Sequence, residues 1–285
     1  MTLQPEAFFL SVGEDALGQR FCLYHAPVQS PAVGLVVYVH PFAEAMNKSR
    51  PMAALQSRAM ARAGFAVLQI DLLGCGDSAG DFADASWAQW RSDVAHACRW
   101  LHQRHPGSTV PIWLWGLGLG ALLAVDAAAQ IDLTCNFLFW QPVSSGASAL
   151  QQFLRLSTSG EMLAGKARGT VDQLRRQLQS AEVVEVVGYR VSPPLALGLE
   201  AATLKPPTAR CRVEWFEVSS GDPPELSPAA LRGALQWREA GHGVHTHAVE
   251  GPAFWQTTEM EVAPKLIDAT VKALCSSASG RTVEA

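Results

Sequence analysis

Apolar and polar positions along the chain follow two periods in turn. Ala7 to Val12 and Arg20 to His25 are short strand-like stretches on either side of a Gly/Asp-bearing turn, which predicts an antiparallel start at a sheet edge. Gly34 to His40 is instead a nearly unbroken apolar, β-branched run, the composition of a strand covered on both faces. A helical stretch from about Lys48 to Ala63 ends at Gly64, and Phe65 to Asp71 is strand-like again. Between Ser86 and Arg104 the apolar positions Trp87, Trp90, Val94, Ala97 and Leu101 recur at three- and four-residue intervals, with Ser86 as N-cap and Pro106-Gly107 as the stop. Ile112 to Trp115 reads as strand, Gly120 to Ala129 as helix, and Asn136 to Gln141 as strand.

This alternation points to an α/β protein with a mostly parallel, doubly wound sheet of about eight strands. It breaks off between about Ser144 and Pro207, where Val171 to Ser180 reads as a polar helix, Glu182 to Val187 as β-like, and Ser192-Pro193-Pro194 as a second helix start. A small cap inserted at 144–207 is the reading. Arg212 to Val218, Val244 to Val249 and a helix over about Val262 to Leu274 restore the pattern. One domain over 1–275 and a flexible tail over 276–285 are expected.

Composition narrows the function classes. With 285 residues, 48% hydrophobic, the chain buries a full core, and a formal net charge of −4 leaves no basic stripe for nucleic acid. The first residues lack a basic start followed by an apolar run, and no stretch reaches the ~18 apolar residues of a spanning helix, so a cytoplasmic protein without a membrane span is expected. Six scattered cysteines without a C-x-x-C pair suit reduced thiols better than disulfides or zinc. No cofactor is called for.

Three motifs fall at strand ends, where open α/β sheets bind ligands. They are His40-Pro41-Phe42, then Asp71-Leu72-Leu73-Gly74-Cys75-Gly76-Asp77-Ser78-Ala79-Gly80, then Gly116-Leu117-Gly118-Leu119-Gly120. In this order and spacing they resemble the α/β-hydrolase fold: a loop giving an oxyanion donor, a D-x-x-G-x-G-x-S-x-G loop, and the G-x-S-x-G nucleophile elbow. The centre of that elbow is Gly118, which has no hydroxyl. The stretch His40 to Arg50, with Leu114 to Ala121, further resembles the exosortase A system-associated proteins called hydrolase 2. That resemblance implies a setting near exopolysaccharide synthesis and PEP-CTERM protein sorting.

Acyl transfer on this fold needs a nucleophile, a histidine, an orienting acid and two backbone donors. The donors fall to Phe42 and Leu119, with His40 shaping their loop. Asp222 stands where the acid belongs, although Asp before Pro is also ordinary turn chemistry. The histidine belongs after the last strand, yet Glu250 to Trp255 contains none. His242, His245 and His247 lie upstream, with His245 and His247 on one strand face. They read as surface histidines, as a displaced base (His247), or as part of a metal site that no carboxylate or cysteine completes in the sequence. Cys75 is an exposed thiolate or simply a small residue in a tight loop, and Ser144 and Ser145 offer hydroxyls.

Glu44, Asn47, Lys48 and Arg50 crowd the start of a helix, which suits an anionic group or plain solvation. Trp140 and Trp255 are placed to wall an apolar or sugar pocket. The ligand expected is a small acyl, glycan or phosphate-bearing molecule, and partners in exopolysaccharide or protein-sorting machinery follow from the resemblance alone. Two functions remain: a binding protein with a degenerate triad and a retained pocket, or an ester or thioester hydrolase whose water is activated by Asp222, Glu44 or a displaced histidine.

Overall fold

The computed structural model describes residues 4–163 and 171–279, with side chains inside helices left aside for 157–163 and 277–279. Ten strands and eight α-helices are described. In chain order they are β1 (Glu6–Ser11), β2 (Gln19–His25), β3 (Gly34–Val39), α1 (Glu44–Arg62), β4 (Phe65–Ile70), a 3-10 turn (Phe82–Asp84), α2 (Trp87–Arg104), β5 (Ile112–Leu117), α3 (Leu119–Ala128) and β6 (Cys135–Trp140). There follow α4 (Gly146–Leu163), α5 (Val171–Gln179), β7 (Val184–Val186), β8 (Tyr189–Val191), α6 (Pro193–Ala201), β9 (Arg212–Ser219), α7 (Pro228–Glu239), β10 (Gly243–Glu250) and α8 (Pro264–Ser279).

Eight strands form one sheet in the order β1-β2-β4-β3-β5-β6-β9-β10. Only β1 with β2 and β2 with β4 pair antiparallel; the other neighbours are parallel. This is the α/β-hydrolase fold. The central strands β3 and β5 are buried at every position, because helices cover both faces. Met52, Met60, Trp115 and Phe216 fill the face under α1 and α8, while Leu114, Phe137, Leu101 and Trp237 fill the face under α2, α3 and α7.

The insertion leaves the sheet after β6 and returns before β9. Its ends zip together: Leu204 N–H donates to Ser144 O, Gly146 N–H donates to Ala202 O, and Ser145 bridges to Thr203. A Cβ on Gly146 would stand 1.8 Å from Leu199 O, so only glycine allows α4 and α6 to close this neck. Ser192 caps α6 and also donates to Ala85 O, tying the cap to the edge of the sheet domain.

Two expectations are corrected here. The chain is helical through Ser279, so a tail beginning at 276 is too early; the rest of that tail lies outside the described residues. Helices α4 and α7 had not been expected. Ser227-Pro228 carries the same cap-and-proline start as Ser192-Pro193, so α7 was readable from its N-terminus.

Candidate functional site

Strand β5 turns into α3 through Gly118, whose φ of 57° and ψ of −117° turn the chain sharply at the sheet edge. Its N–H donates to Trp140 O at 2.9 Å, and its carbonyl accepts from Val143 N–H at 3.4 Å, so both polar groups are held by the β6 end. The flanking glycines serve close packing. A Cβ on Gly116 would lie 2.5 Å from Ala121 Cα, and one on Gly120 would lie 2.1 Å from Val39 O. At Gly118, its chain neighbours aside, the only atom among the described residues within 4 Å of such a Cβ is Pro41 Cβ, at 3.9 Å. The bend has room for a side chain and carries none.

Facing this bend is the loop His40-Pro41-Phe42-Ala43 between β3 and α1. His40 is buried; its Nδ1 meets Pro41 O at 2.8 Å and its Nε2 accepts from Leu72 N–H at 3.3 Å. That pairing assigns the proton to Nδ1, and burial lowers the ring's affinity for a second proton while the nearby Asp71 carboxylate opposes the shift. His40 is a neutral brace between two loops. Ala43 takes φ 50° and ψ −129°, a conformation strained for a residue with a Cβ. Among the described residues, neither Phe42 N–H nor Leu119 N–H has a hydrogen-bond acceptor. Leu119 is the first residue of α3, so the positive end of the helix adds to its N–H.

An aromatic wall joins this loop to the cap. Phe42 meets Phe153 of α4 at 5.0 Å, Phe82 at 5.4 Å and Trp90 at 5.9 Å, and Phe82 meets Tyr189 of β8 at 5.2 Å. Tyr189 donates its hydroxyl to Glu44 Oε2 at 3.0 Å, and Asn47 Nδ2 donates to both the tyrosine oxygen and Glu44. Glu44 is thereby engaged in latching the cap hairpin to α1. Sequence reasoning had missed Phe82, Phe153 and Tyr189, since nothing local in the cap announces which loop it will cover.

The remaining expected residues are dispersed. Lys48 Nζ donates to Gln256 O at 3.4 Å, and Arg50 pairs with Asp71 Oδ2 at 2.9 Å. Gly76 makes room for that pair, because its Cβ would fall 2.0 Å from Asp71 Oδ2. Cys75 is buried, and burial together with Asp71 pushes its thiol pKa up, so it is no exposed thiolate. Trp140 is core instead of pocket wall: it is 2% exposed, packs on Trp115 and Phe254, and donates Nε1–H to Thr270 Oγ1. Trp255 is half-buried against Phe254. Asp222 lies exposed in the loop after β9.

The histidines are occupied elsewhere. His247 Nε2 meets Glu214 Oε2 at 2.7 Å with its ring stacked 4.2 Å from Phe216, and His245 Nδ1 meets Glu214 Oε1 at 3.2 Å. Arg212 pairs with the same buried carboxylate at 2.6 Å. Glu214 sits in the first half of β9, away from the strand end that faces Gly118, so His247 is no base for the bend. The missing carboxylate neighbour of these histidines is therefore Glu214, yet no group of three His, Cys, Asp or Glu among the described residues is arranged to hold a metal. His242 is buried beside Cys211, with Nδ1 3.2 Å from the sulfur.

Comparison with known proteins agrees with the fold. The profile of the serine aminopeptidases of type S33 matches residues 30–154. Human protein ABHD12B is 30% identical over 120 residues, 42% of this chain and 31% of that protein, so the match spans about a third of its length. Among solved structures, Est1E from Butyrivibrio proteoclasticus with bound ferulic acid is 16% identical, covering 96% of this chain and 100% of that one, with a TM-score of 0.64. A thermostable carboxyl esterase from Bacillus coagulans, in complex with glycerol, is 15% identical, covering 98% and 99% of the two chains at a TM-score of 0.63. A soluble variant of the Saccharomyces cerevisiae monoglyceride lipase is 12% identical over 96% and 95%, at 0.57. The chain is an α/β-hydrolase-fold protein. No helix among the described residues is long and apolar enough to cross a membrane.

Proposed function

We propose that this chain is a binding protein on a hydrolase scaffold, which holds an acyl group at the bend without attacking it. One observation carries the reading: Gly118 keeps the elbow's backbone with space where a side chain would stand, while the N–H groups of Phe42 and Leu119 on the two flanking segments have no acceptor among the described residues. A serine hydroxyl would occupy that volume in a hydrolase. Without it, the second oxygen of a free carboxylate takes the vacated place while the first accepts from the two N–H donors. The aromatic wall of Phe42, Phe82 and Phe153 favours an apolar or aryl body on such an acid. Ferulic acid, the ligand of the Est1E neighbour, is a carboxylic acid of this kind and a suitable probe.

Calorimetric titration with ferulic acid tests the reading, together with turnover of short- and long-chain p-nitrophenyl esters. Leu119→Pro removes one donor at the first helical position, where proline is tolerated, and the preceding glycine has no Cβ to clash with the ring. Ester turnover at the buffer rate, with acid binding weakened roughly tenfold to a hundredfold by Leu119→Pro, is expected. Turnover well above buffer that falls in Leu119→Pro favours a water-activating hydrolase and overturns the binding reading.

The setting we infer is that of an accessory to an exosortase A and exopolysaccharide system in the cytoplasm, supported by the likeness of His40 to Arg50 and Leu114 to Ala121 to the hydrolase 2 proteins. Deleting the gene in its native host, with exopolysaccharide output and PEP-CTERM protein sorting measured, tests this. Unchanged output of both refutes it.

A further inference from the structure

A second cavity, of about 240 Å³, opens under the β1–β2 turn. It lies on the same sheet edge as Gly118, but β4 and β3 stand between β2 and β5, which separates the two places by about 14 Å at ~4.8 Å per strand. Arg20 is part of its lining and is only 1% exposed. Its Nε donates to Asp93 Oδ2 at 2.8 Å, and Nη1 donates to the carbonyls of Leu17 and Gln19. Nη2 has no acceptor among the described residues. Arg20 lines the cavity, so this nitrogen is a donor available to a ligand oxygen there.

The other lining groups define what that ligand must carry. Asp15 Oδ1 accepts from Leu17 N–H at 3.1 Å and Asp84 Oδ2 accepts from Asp81 N–H at 2.8 Å, so each carboxylate has a second oxygen open. Ser86 Oγ accepts from Gln89 N–H at 3.1 Å and retains its own proton to donate. Gln89 Nε2 donates to Asp93 Oδ1 at 2.9 Å, which leaves its carbonyl oxygen unused. Arg20 and Asp93 neutralise one another, and Asp15 and Asp84 make the remainder negative, so an anion is repelled. A simple ammonium ion answers the carboxylates but gives Arg20 no acceptor. Hydroxyl groups do both, because each donates one hydrogen bond and accepts others. We propose that this cavity binds a small neutral polyol the size of one sugar ring, at a site separate from the bend.

Amide NMR shifts of the full chain titrated with D-glucose test this, with phosphate and methylammonium as the competing probes. Glucose is expected to move the Gly13, Gly18 and Gln89 signals with a Kd of about 1–10 mM, and the two ions to move none. The Asp15→Asn/Asp84→Asn pair keeps an oxygen for Leu17 and Asp81 but loses the open carboxylate oxygens, and is expected to weaken glucose about tenfold. If the pair unfolds, Asp15→Asn alone, in an exposed turn, gives the same readout with a smaller loss. No glucose-dependent shift at about 100 mM, saturable shifts with phosphate or methylammonium instead, or an unchanged Kd in the folded variant each overturns the proposal.

Discussion

Replacing the bend glycine with serine, Gly118→Ser, separates scaffold from chemistry. The side chain fits, since, its chain neighbours aside, the nearest atom to its Cβ among the described residues is Pro41 Cβ at 3.9 Å. The backbone objects more: a φ of 57° with ψ of −117° costs a residue bearing a Cβ about 1–3 kcal/mol. Loss of glycine's freedom in the unfolded chain returns about 0.4–1 kcal/mol. The net loss is about 1–2 kcal/mol, which lowers Tm by about 2–4 °C at ~2 °C per kcal/mol for a chain of this size. Activity gains little. In serine proteases, losing either the serine or the histidine costs on the order of 10⁶ in kcat, so a hydroxyl alone recovers none of that cooperation. His247 is held by Glu214 at 2.7 Å, and His40 Nε2 already accepts from Leu72 N–H. The assay is p-nitrophenyl butyrate turnover at neutral pH, with fluorophosphonate labelling read by intact mass. A rate within about tenfold of the parent and no label are expected. A nitrophenolate burst stoichiometric with protein, or full labelling of the variant, shows that an imidazole reaches the bend and refutes the argument.

Four further outcomes follow from single contacts. Ala43→Gly relieves a positive φ in the loop that carries Phe42 N–H and, after glycine's entropy cost, is expected to raise stability by about 1 kcal/mol in urea melts. Asp93→Ala strips the buried Arg20 of its partner and is expected to cost about 3–5 kcal/mol, whereas joint replacement of both by apolar residues recovers most of it. Burial, with help from Arg58, lowers His25 from 6.5 to about 4, so as pH falls the unfolded chain binds the proton first. Stability is then full above about pH 6.5 and declines by up to about 3 kcal/mol toward pH 4, and urea melts of a His25→Leu variant are expected to lack that component. Tyr189→Phe releases Glu44 and Asn47 from the cap hairpin, and faster amide exchange over Val184–Val191 with unchanged exchange in β5 is the expected sign.

Much of the frame was legible because it depends on local periodicity. The run Gly34 to His40 has the β-branched composition of a strand covered on both faces, Phe65 to Asp71 reads as strand, and the spacing from Trp87 to Leu101 fits one helical face. The glycines of the bend were legible too, since 116 and 120 leave no volume for a Cβ. Helix α4 went unread although Ala147, Leu150 and Leu154 stand at helical spacing, because the small and polar residues between them offer no cap or charge signal, and α6 and the neck Ser144–Leu204 supply the surface that this stripe covers.

What tertiary structure alone decided is how each polar side chain is employed. His247 and Glu214 are far apart in sequence and adjacent across β9 and β10, so a plausible base became a strand-to-strand tie. Glu44 met Tyr189 only because the cap folds back onto α1, and Trp140 became core only when α8 brought Thr270 to its indole nitrogen. Periodicity records which face a residue occupies. A hydrogen-bond partner is supplied by whichever distant segment packs there, and that is settled by the burial of the whole sheet.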